Sequence, residues 1–424
     1  MGLGLHLVAP LDAPDPRALL ETLAEKIRGR DEDPAPLVEV SAEAPLLLAE
    51  LHPGAEPLRI EAHQRKLVLE AATGTAGPGY HRHVCALAES LGVDLQIDWE
   101  IGDEDGDADE TGWLHRRDEA ELEEAFLDQL GATVARILEL VDRGAQGIAL
   151  ALPSSHHFTH DGVIATQLGP RSEAWLRAIL DDPRHGVDAF PWWGPERDAA
   201  YFRGLALSQM WTEVRWRTPI REEETALLDR VVTWAEKAHG LDPQVSLPWR
   251  AISELYEHLG EESLRATRAH VKAQAEKPSA SIGYRRRPVR ARLSGGWSLE
   301  IPGALAERWE ERGTWVAWDT KRSVWFTSLT VTDDAGKPSP DSATTLASLP
   351  PLSRDSDEGE VLELESGELR GLAAFARDER DGETFYRLEA HAALREHAAV
   401  GTLVYTDEAD REWALQTWGS LHHG

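Results

Sequence analysis

The sequence predicts an α+β protein of several domains: an N-terminal antiparallel sheet with helices, a central helical layer and a C-terminal α+β domain. Three observations lead there. A chain of 424 residues with 42% apolar content exceeds what one core usually holds, about 250 to 300 residues. Apolar residues fall at strand spacing early and late in the chain, the late run carrying Trp297, Trp315, Trp318, Trp325, Trp413 and Trp418. Between these regions the apolar spacing is helical. The expected boundaries are 1–165 for an α+β domain, 166–276 for a helical segment packing on it, 277–293 for a linker and 294–424 for the last domain.

The first segment opens with a strand-like GLHLVA and a helix whose Leu19, Leu20, Leu23 and Ile27 share a face. Pro45 to Leu51, Pro57 to Ala62 and Lys66 to Ala71 read as an antiparallel meander, broken by turns such as Pro53-Gly54. A helix from Tyr80 to Leu91 and a strand from Val93 to Trp99 follow. A long helix from Glu119 to Arg143 repeats apolar residues at helical period, with Asp118 and Glu121 as its capping box and Gly144 as its stop. A strand from Gly147 to Leu152 is expected to return to the sheet. In the central segment Gly194-Pro195 marks a helix start, and two more helices centre on Leu227–Ala238 and Ile252–Leu259. The stretch KPSASIGYRRRPVRAR then reads as the linker, its five arginines suited to docking on an acidic face.

The last segment reads as a strand (Trp297 to Ile301), a short helix (Ala304 to Arg312) and two strands (Trp315 to Asp319, Val324 to Thr332). After a charged loop come Gly367 to Asp378, Thr384 to Ala393 and Val400 to Thr406. A final helix, Glu408 to Leu421, turns Ala409, Trp413, Leu415 and Trp418 inward. Through GWSLEIPGALAERWEERGTWVAWD, SVWFTSLTV and TLVYTDEADREWALQTWGSL this third of the chain resembles the PsbP-like family, which includes DcrB-type bacterial proteins. The resemblance implies an α/β/α sandwich that serves as a binding or chaperone-like module. The acidic insert Asp333 to Glu360 departs from it.

A net charge of -31 opposes binding to a phosphate backbone, so nucleic acid is excluded as an expected partner. No run approaches the roughly 20 apolar residues of a membrane helix, and the start lacks a basic leader, so no membrane association is expected. A single cysteine, Cys85, fits a reducing compartment and a small buried residue in a helix. The expected setting is a bacterial cytoplasm.

Four motifs could carry chemistry. Asp107 to Asp118 places Asp107, Asp109, Thr111 and Asp118 near calcium-loop positions, although a solvated acidic turn explains them as well. In SSHHFTHD, His156, His157, His160 and Asp161 offer metal ligands at zinc-like spacing, within what otherwise reads as a polar loop. The glycine-rich turn TGTAGPGYHRH enters a helix and could present N–H groups to an anion. A binding pocket in this segment is expected at Tyr80 and His81, with Asp109, Glu110 and Arg117 across from them. In FPWWGP, Trp192 and Trp193 are candidate partner anchors, with core packing as the alternative.

No GxSxG, HExxH or CxxC motif is present, and no cofactor is expected. The leading expectation is therefore a non-enzymatic component that binds another protein, in a chaperone-like, immunity-like or assembly role, with a basic surface as the complementary partner. The alternatives are a metal-dependent hydrolase using the histidine loop and an acidic nucleic-acid mimic.

Overall fold

The computed structural model describes residues 3–11, 15–63, 65–101, 108–145, 147–152, 158, 163–260, 271, 281–310, 313–332, 336–339, 341–352, 361–380 and 382–424. The protein is α+β and divides into two compact units, Met1–Val214 with Glu222–Gly283, and Arg215–Arg221 with Tyr284–Gly424. Among the described residues no helix is long and apolar enough to cross a membrane. The histidine loop with His156, His157, His160 and Asp161 lies outside the described residues.

The first unit opens with β1 (Gly4–Pro10), α1 (Pro16–Arg28), β2 (Leu37–Val40), β3 (Leu46–Glu50), β4 (Leu58–His63) and β5 (Lys66–Ala72). The five strands form an antiparallel sheet in the order β1-β5-β4-β3-β2. Strict alternation sends Leu5, Leu7, Leu47, Ile60, Leu67 and Leu69 to one face, where they are buried. Helix α1 packs against β2, β3 and β4 and buries Leu20, Leu23, Ala24 and Ile27, capped by the Asp15 carboxylate. Each such side chain contributes about 1.5–3 kcal/mol of burial. On the opposite face, pairing aligns Glu39, Leu48, Arg59, Glu70 and His6 in one row across the strands.

The unit continues with α2 (Pro78–Leu95), α3 (Trp113–Arg116), α4 (Glu119–Asp142), β6 (Ile148–Ala149), β7 (Ile164–Thr166), β8 (Gly169–Arg171), α5 (Glu173–Asp181), α6 (Ala199–Thr212), α7 (Glu222–Leu241) and α8 (Trp249–Leu259). Asp118 caps α4 through the N–H groups of Ala120 and Glu121, as its sequence implies. The strand expected over Val93–Trp99 does not form. Helix α2 runs on to Leu95 and ends at left-handed Gln96, and the Trp99 indole folds back to donate to the Ala88 carbonyl at 2.9 Å. Adding a turn to an existing helix is easier than nucleating a new strand on so short an alternation.

Strand β6 does not return to the large sheet; it pairs in parallel with β7 in a separate sheet ordered β6-β7-β8. Gly147 and Ala151, both at positive φ, bound it and keep it short. Helix α6 starts at Ala199, where Asp198 accepts from the Tyr201 N–H, and not at Gly194-Pro195. Nearly every residue of α6 is buried, so it is a central helix with no solvent face. Gly204 lets it pass against the Pro191 carbonyl, which an added Cβ would meet at 2.1 Å.

The second unit contains β9 (Pro288–Arg292), β10 (Trp297–Pro302), β11 (Ala306–Trp309), β12 (Trp315–Trp318), β13 (Arg322–Thr330), α9 (Ser342–Ala347), β14 (Val361–Ser366), β15 (Leu369–Arg380), β16 (Glu383–Leu394), β17 (His397–Tyr405), α10 (Arg411–Gly419) and β18 (His422–His423). Its antiparallel sheet runs β11-β12-β13-β17-β16-β15-β14, beside a smaller sheet β18-β10-β9. Part of the arginine-rich stretch read as linker is therefore strand β9. The short helix expected over Ala304–Arg312 is strand β11, paired from Ala306↔Trp318 to Trp309↔Trp315. Cross-strand partners outweigh the helix propensity of ALAERW, and one element of the order behind the PsbP-like resemblance changes type.

Helix α10 packs on β16 and β17. It buries Ala414, Thr417 and Trp418, whereas Ala409 and Leu415, expected inward, are exposed and Trp413 is half-buried. A 3-10 turn over Glu408–Asp410 precedes the helix and places Ala409 outside it.

Candidate functional site

The candidate site lies in the first unit, where the segment around Asp109 joins β1. Leu5 forms an isolated antiparallel bridge with Asp109, and the His6 N–H donates to the Ala108 carbonyl at 2.8 Å. Neighbouring side chains on this segment are placed differently. Asp109 is buried at 2% exposure, whereas Glu110 is exposed.

Asp109 turns to His81 of α2, whose Nε2 lies 3.1 Å from Oδ1. Around the carboxylate, Oδ1 accepts from the Thr111 N–H at 2.9 Å and the Thr111 hydroxyl at 2.7 Å, and Oδ2 accepts from the Leu114 N–H at 2.8 Å. An Asx turn of this kind arises because aspartate reaches the backbone two residues on. The other imidazole nitrogen, Nδ1, sits 2.9 Å from the Thr73 hydroxyl at the end of β5. Cys85 lies one helical turn beyond His81, with Sγ 3.5 Å from Nε2. All five side chains are buried.

Burial works against the Asp109 charge, but the bonds from His81, Leu114 and Thr111 outweigh it and hold the carboxyl well below its ordinary range. Burial pushes the Cys85 thiol up, and the nearby Asp109 charge pushes it further. A thiol so protonated is no nucleophile. His81, Cys85 and Asp109 bring three potential ligand atoms within 4.8 Å of one another.

Beside this cluster lies a hollow of about 640 Å³ lined by His6, Leu48, Glu56, Arg59, Glu70 and Glu110 among others. Its floor is the cross-strand row on the outer face of the sheet. Within that row His6 Nδ1 contacts Glu70 at 3.2 Å, while Arg59 reaches toward Glu61 at 3.8 Å.

The sequence expectation placed Tyr80, His81, Asp109, Glu110 and Arg117 together. The structure brings His81 and Asp109 into contact and puts Glu110 at the hollow, but it places the other two elsewhere. Tyr80 is buried, its ring 5.8 Å from His52 and 6.4 Å from Trp192, and burial raises its hydroxyl. Arg117 pairs with Glu89 and lies over the Trp113 ring. Trp192 is buried at 3% exposure, packed on Tyr201 at 4.6 Å, and Trp193 is half-buried beside Phe190.

The glycine turn does not leave its helix N-terminus open. Gly79 N–H donates to the Trp192 carbonyl, and the Trp192 N–H to Ala76. A side chain at Gly79 would strike the Trp192 indole. The calcium-loop reading also loses ligands, since Asp109 faces His81 and Asp118 caps α4; Asp107 lies outside the described residues.

Sequence reasoning missed Thr73 and the place of Cys85 in the cluster, and it named Thr111 only as a calcium-loop position. The available signals were the four-residue spacing from His81 to Cys85 on one helix face and the Asp-x-Thr turn. It also missed the half-buried carboxylate of Glu32, which meets Arg30 at 3.0 Å, His83 at 3.2 Å and Arg197 at 3.0 Å. Burial would raise Glu32, yet its bonds to His83 and Arg197 bring it down to about 2.

No protein-family model matches the chain, and no curated protein does. Among solved structures, a chain from Bacteroides thetaiotaomicron VPI-5482, determined at 1.50 Å resolution, is similar at 8% identity and a TM-score of 0.24. The match covers 31% of the present chain and 46% of that one, under half its length. A likeness of that size carries no argument about fold or function.

Proposed function

We propose that this chain is a non-enzymatic, cytoplasmic bacterial protein that binds another protein, receiving a lysine- or arginine-bearing segment in the hollow of its first unit. The observation that carries the reading is the hollow's lining. Glu56, Glu70 and Glu110, from separate parts of the chain, stand around Leu48 and Pro57 at the sheet face that carries Arg59 and His6. A volume in the range of about 300–1,000 Å³ suits a few side chains of a partner. The carboxylates outnumber Arg59 and His6, and the net charge of -31 adds a long-range pull on cations. Glu110 is exposed between Asp109 and Thr111, whose backbone the buried hydrogen bonds fix. The PsbP-like resemblance of residues 294–424 points to the same class of role.

Binding of a fluorescent lysine- and arginine-containing peptide, measured by anisotropy against a glutamate-containing control, tests this. The expected result is preferential binding of the basic peptide that weakens with salt and falls about tenfold in the Glu70→Gln, Glu110→Gln double variant. Equal binding by the double variant, or no preference between peptides, overturns it.

A further inference from the structure

We propose that His81, Cys85 and Asp109 form a binding site for one zinc-like divalent ion. The proposal stands apart from the cationic-segment reading, because these side chains are buried and do not line the hollow. Its first support is local sequence geometry. His81 and Cys85 are four residues apart on α2, so both project from one helix face, and Asp109, the bridge partner of Leu5 in β1, stands opposite them.

Distances give the second support. With metal bonds of about 2.0–2.3 Å, the edges of a tetrahedral nitrogen, oxygen and sulfur site measure about 3.3–3.6 Å. The separation from His81 Nε2 is 3.5 Å to Cys85 Sγ, within that range, and 3.1 Å to Asp109 Oδ1, just under it, and all three ligand atoms lie within 4.8 Å of one another. The Thr111 hydroxyl oxygen, 3.0 Å from the same nitrogen, is the nearest fourth donor. Three heteroatoms thus crowd one ring nitrogen that can carry a single proton. A central cation would replace the hydrogen bonds that now join these atoms with metal–ligand bonds.

Third, the surroundings suit the bound state. When Nε2 coordinates an ion, the imidazole proton must reside on Nδ1, where it can be donated to Thr73 Oγ1 at 2.9 Å. The Thr73 hydroxyl can then turn its own hydrogen to the Leu3 carbonyl at 3.2 Å. This supplies the outer hydrogen bond that orients a ligating histidine. Ion entry breaks the Cys85 S–H bond, the proton leaving to water, and forms a metal–thiolate bond; no electrons are transferred. A dication with one thiolate, one carboxylate and one neutral imidazole is electrically neutral, the state a buried site tolerates best. Thiolate and imidazole together select zinc over magnesium or calcium.

Cobalt(II) substitution of the full chain reads the site directly. The expected result is about one equivalent of bound metal, with a near-ultraviolet thiolate-to-cobalt absorption band that disappears in Cys85→Ser. Cys85→Ser keeps the side-chain volume, and a circular dichroism spectrum matching the parent confirms that it folds. A fall in melting temperature of the parent on chelation, absent in Cys85→Ser, is the second readout and needs no substituted metal. A folded parent that takes up no metal and shows no band overturns the proposal. So does a chain whose metal uptake and spectrum are unchanged by Cys85→Ser, because the ion would then sit elsewhere.

Discussion

Both units have apolar cores, but among the described residues the first buries many more polar side chains than the second. In the first, polar side chains occupy the interior: the Thr73–His81–Asp109–Thr111 network, and Gln167, whose amide donates to the carbonyls of Gly54 and Ala151 while accepting from Ser208. In the second, the central sheet is filled by Ala373, Ala390, Ala392, Ala399, Leu388, Leu403 and Phe326, with Trp418 laid against Gly401. Apolar packing tolerates exchange of equal volumes, whereas buried hydrogen bonds accept only partners of the right geometry. The polar interior therefore fixes irregular segments in one conformation, and the first unit has such a segment beside a hollow.

The contrast is broken most directly at Asp109. Its carboxylate accepts from three backbone or hydroxyl groups and faces His81, so Asp109→Ala strands several buried donors at once. The expected loss is about 3–5 kcal/mol of stability, read as a shift in urea midpoint. A loss under about 1 kcal/mol would mean that the network is incidental to the fold.

In the second unit the matching test is steric. At Gly401 an added Cβ would lie 2.4 Å from Trp418 Cζ3, so Gly401→Ala must displace the indole. About 1–3 kcal/mol of destabilisation is expected. If Trp418→Phe restores stability to Gly401→Ala, crowding is the cause; if it does not, the glycine matters for another reason.

Much of this architecture was legible beforehand because it follows from local periodicity. The meander of β3, β4 and β5, the capping of α4 by Asp118 and the strands around Trp297 and Trp315 follow from alternation or caps that neighbours along the chain decide. Where the reading failed, distant partners decided. ALAERW became a strand because Trp315–Trp318 lay ready to pair with it, and β6 joined β7 because both its flanks turn at positive φ. At the site, His81 was selected as a residue type beside a glycine turn and Asp109 as one from the acidic segment placed across from it. Thr73 was not, and Thr111 was singled out only as a calcium-loop position, since a threonine hydroxyl becomes informative for a network only once its partner is known.

A pH titration sharpens the comparison at His52. Its Nδ1 accepts from the Gly54 N–H at 2.9 Å, and complete burial, reinforced by the charges of His83 and Arg197, takes the imidazole down to about 3. The unfolded chain protonates it near the ordinary 6.5, so between 6.5 and 3 the unfolded state holds one proton more. Stability from this group is present above 6.5 and falls as pH drops through that window, by up to about 1.4 kcal/mol per pH unit. His52→Asn preserves an acceptor for Gly54 and removes the titration, so its stability–pH curve is expected to be flatter there. Parallel curves for parent and variant would show that His52 is not the group responsible.

The smallest effect is expected at the exposed neighbour of the largest. Glu110 follows Asp109 directly, yet it is exposed at the hollow, so Glu110→Gln is expected to change stability by less than about 0.5 kcal/mol. Adjacent carboxylates would then differ several-fold in their effect on folding, while only the outer one affects capture of a basic segment. Measuring urea midpoint and peptide affinity on the same two variants separates the roles. Should Glu110→Gln destabilise the chain as strongly as Asp109→Ala, the outer carboxylate would belong to the fold and not to a surface available for a partner, and the division between an inner scaffold and an outer binding face would collapse at the residue pair that defines it.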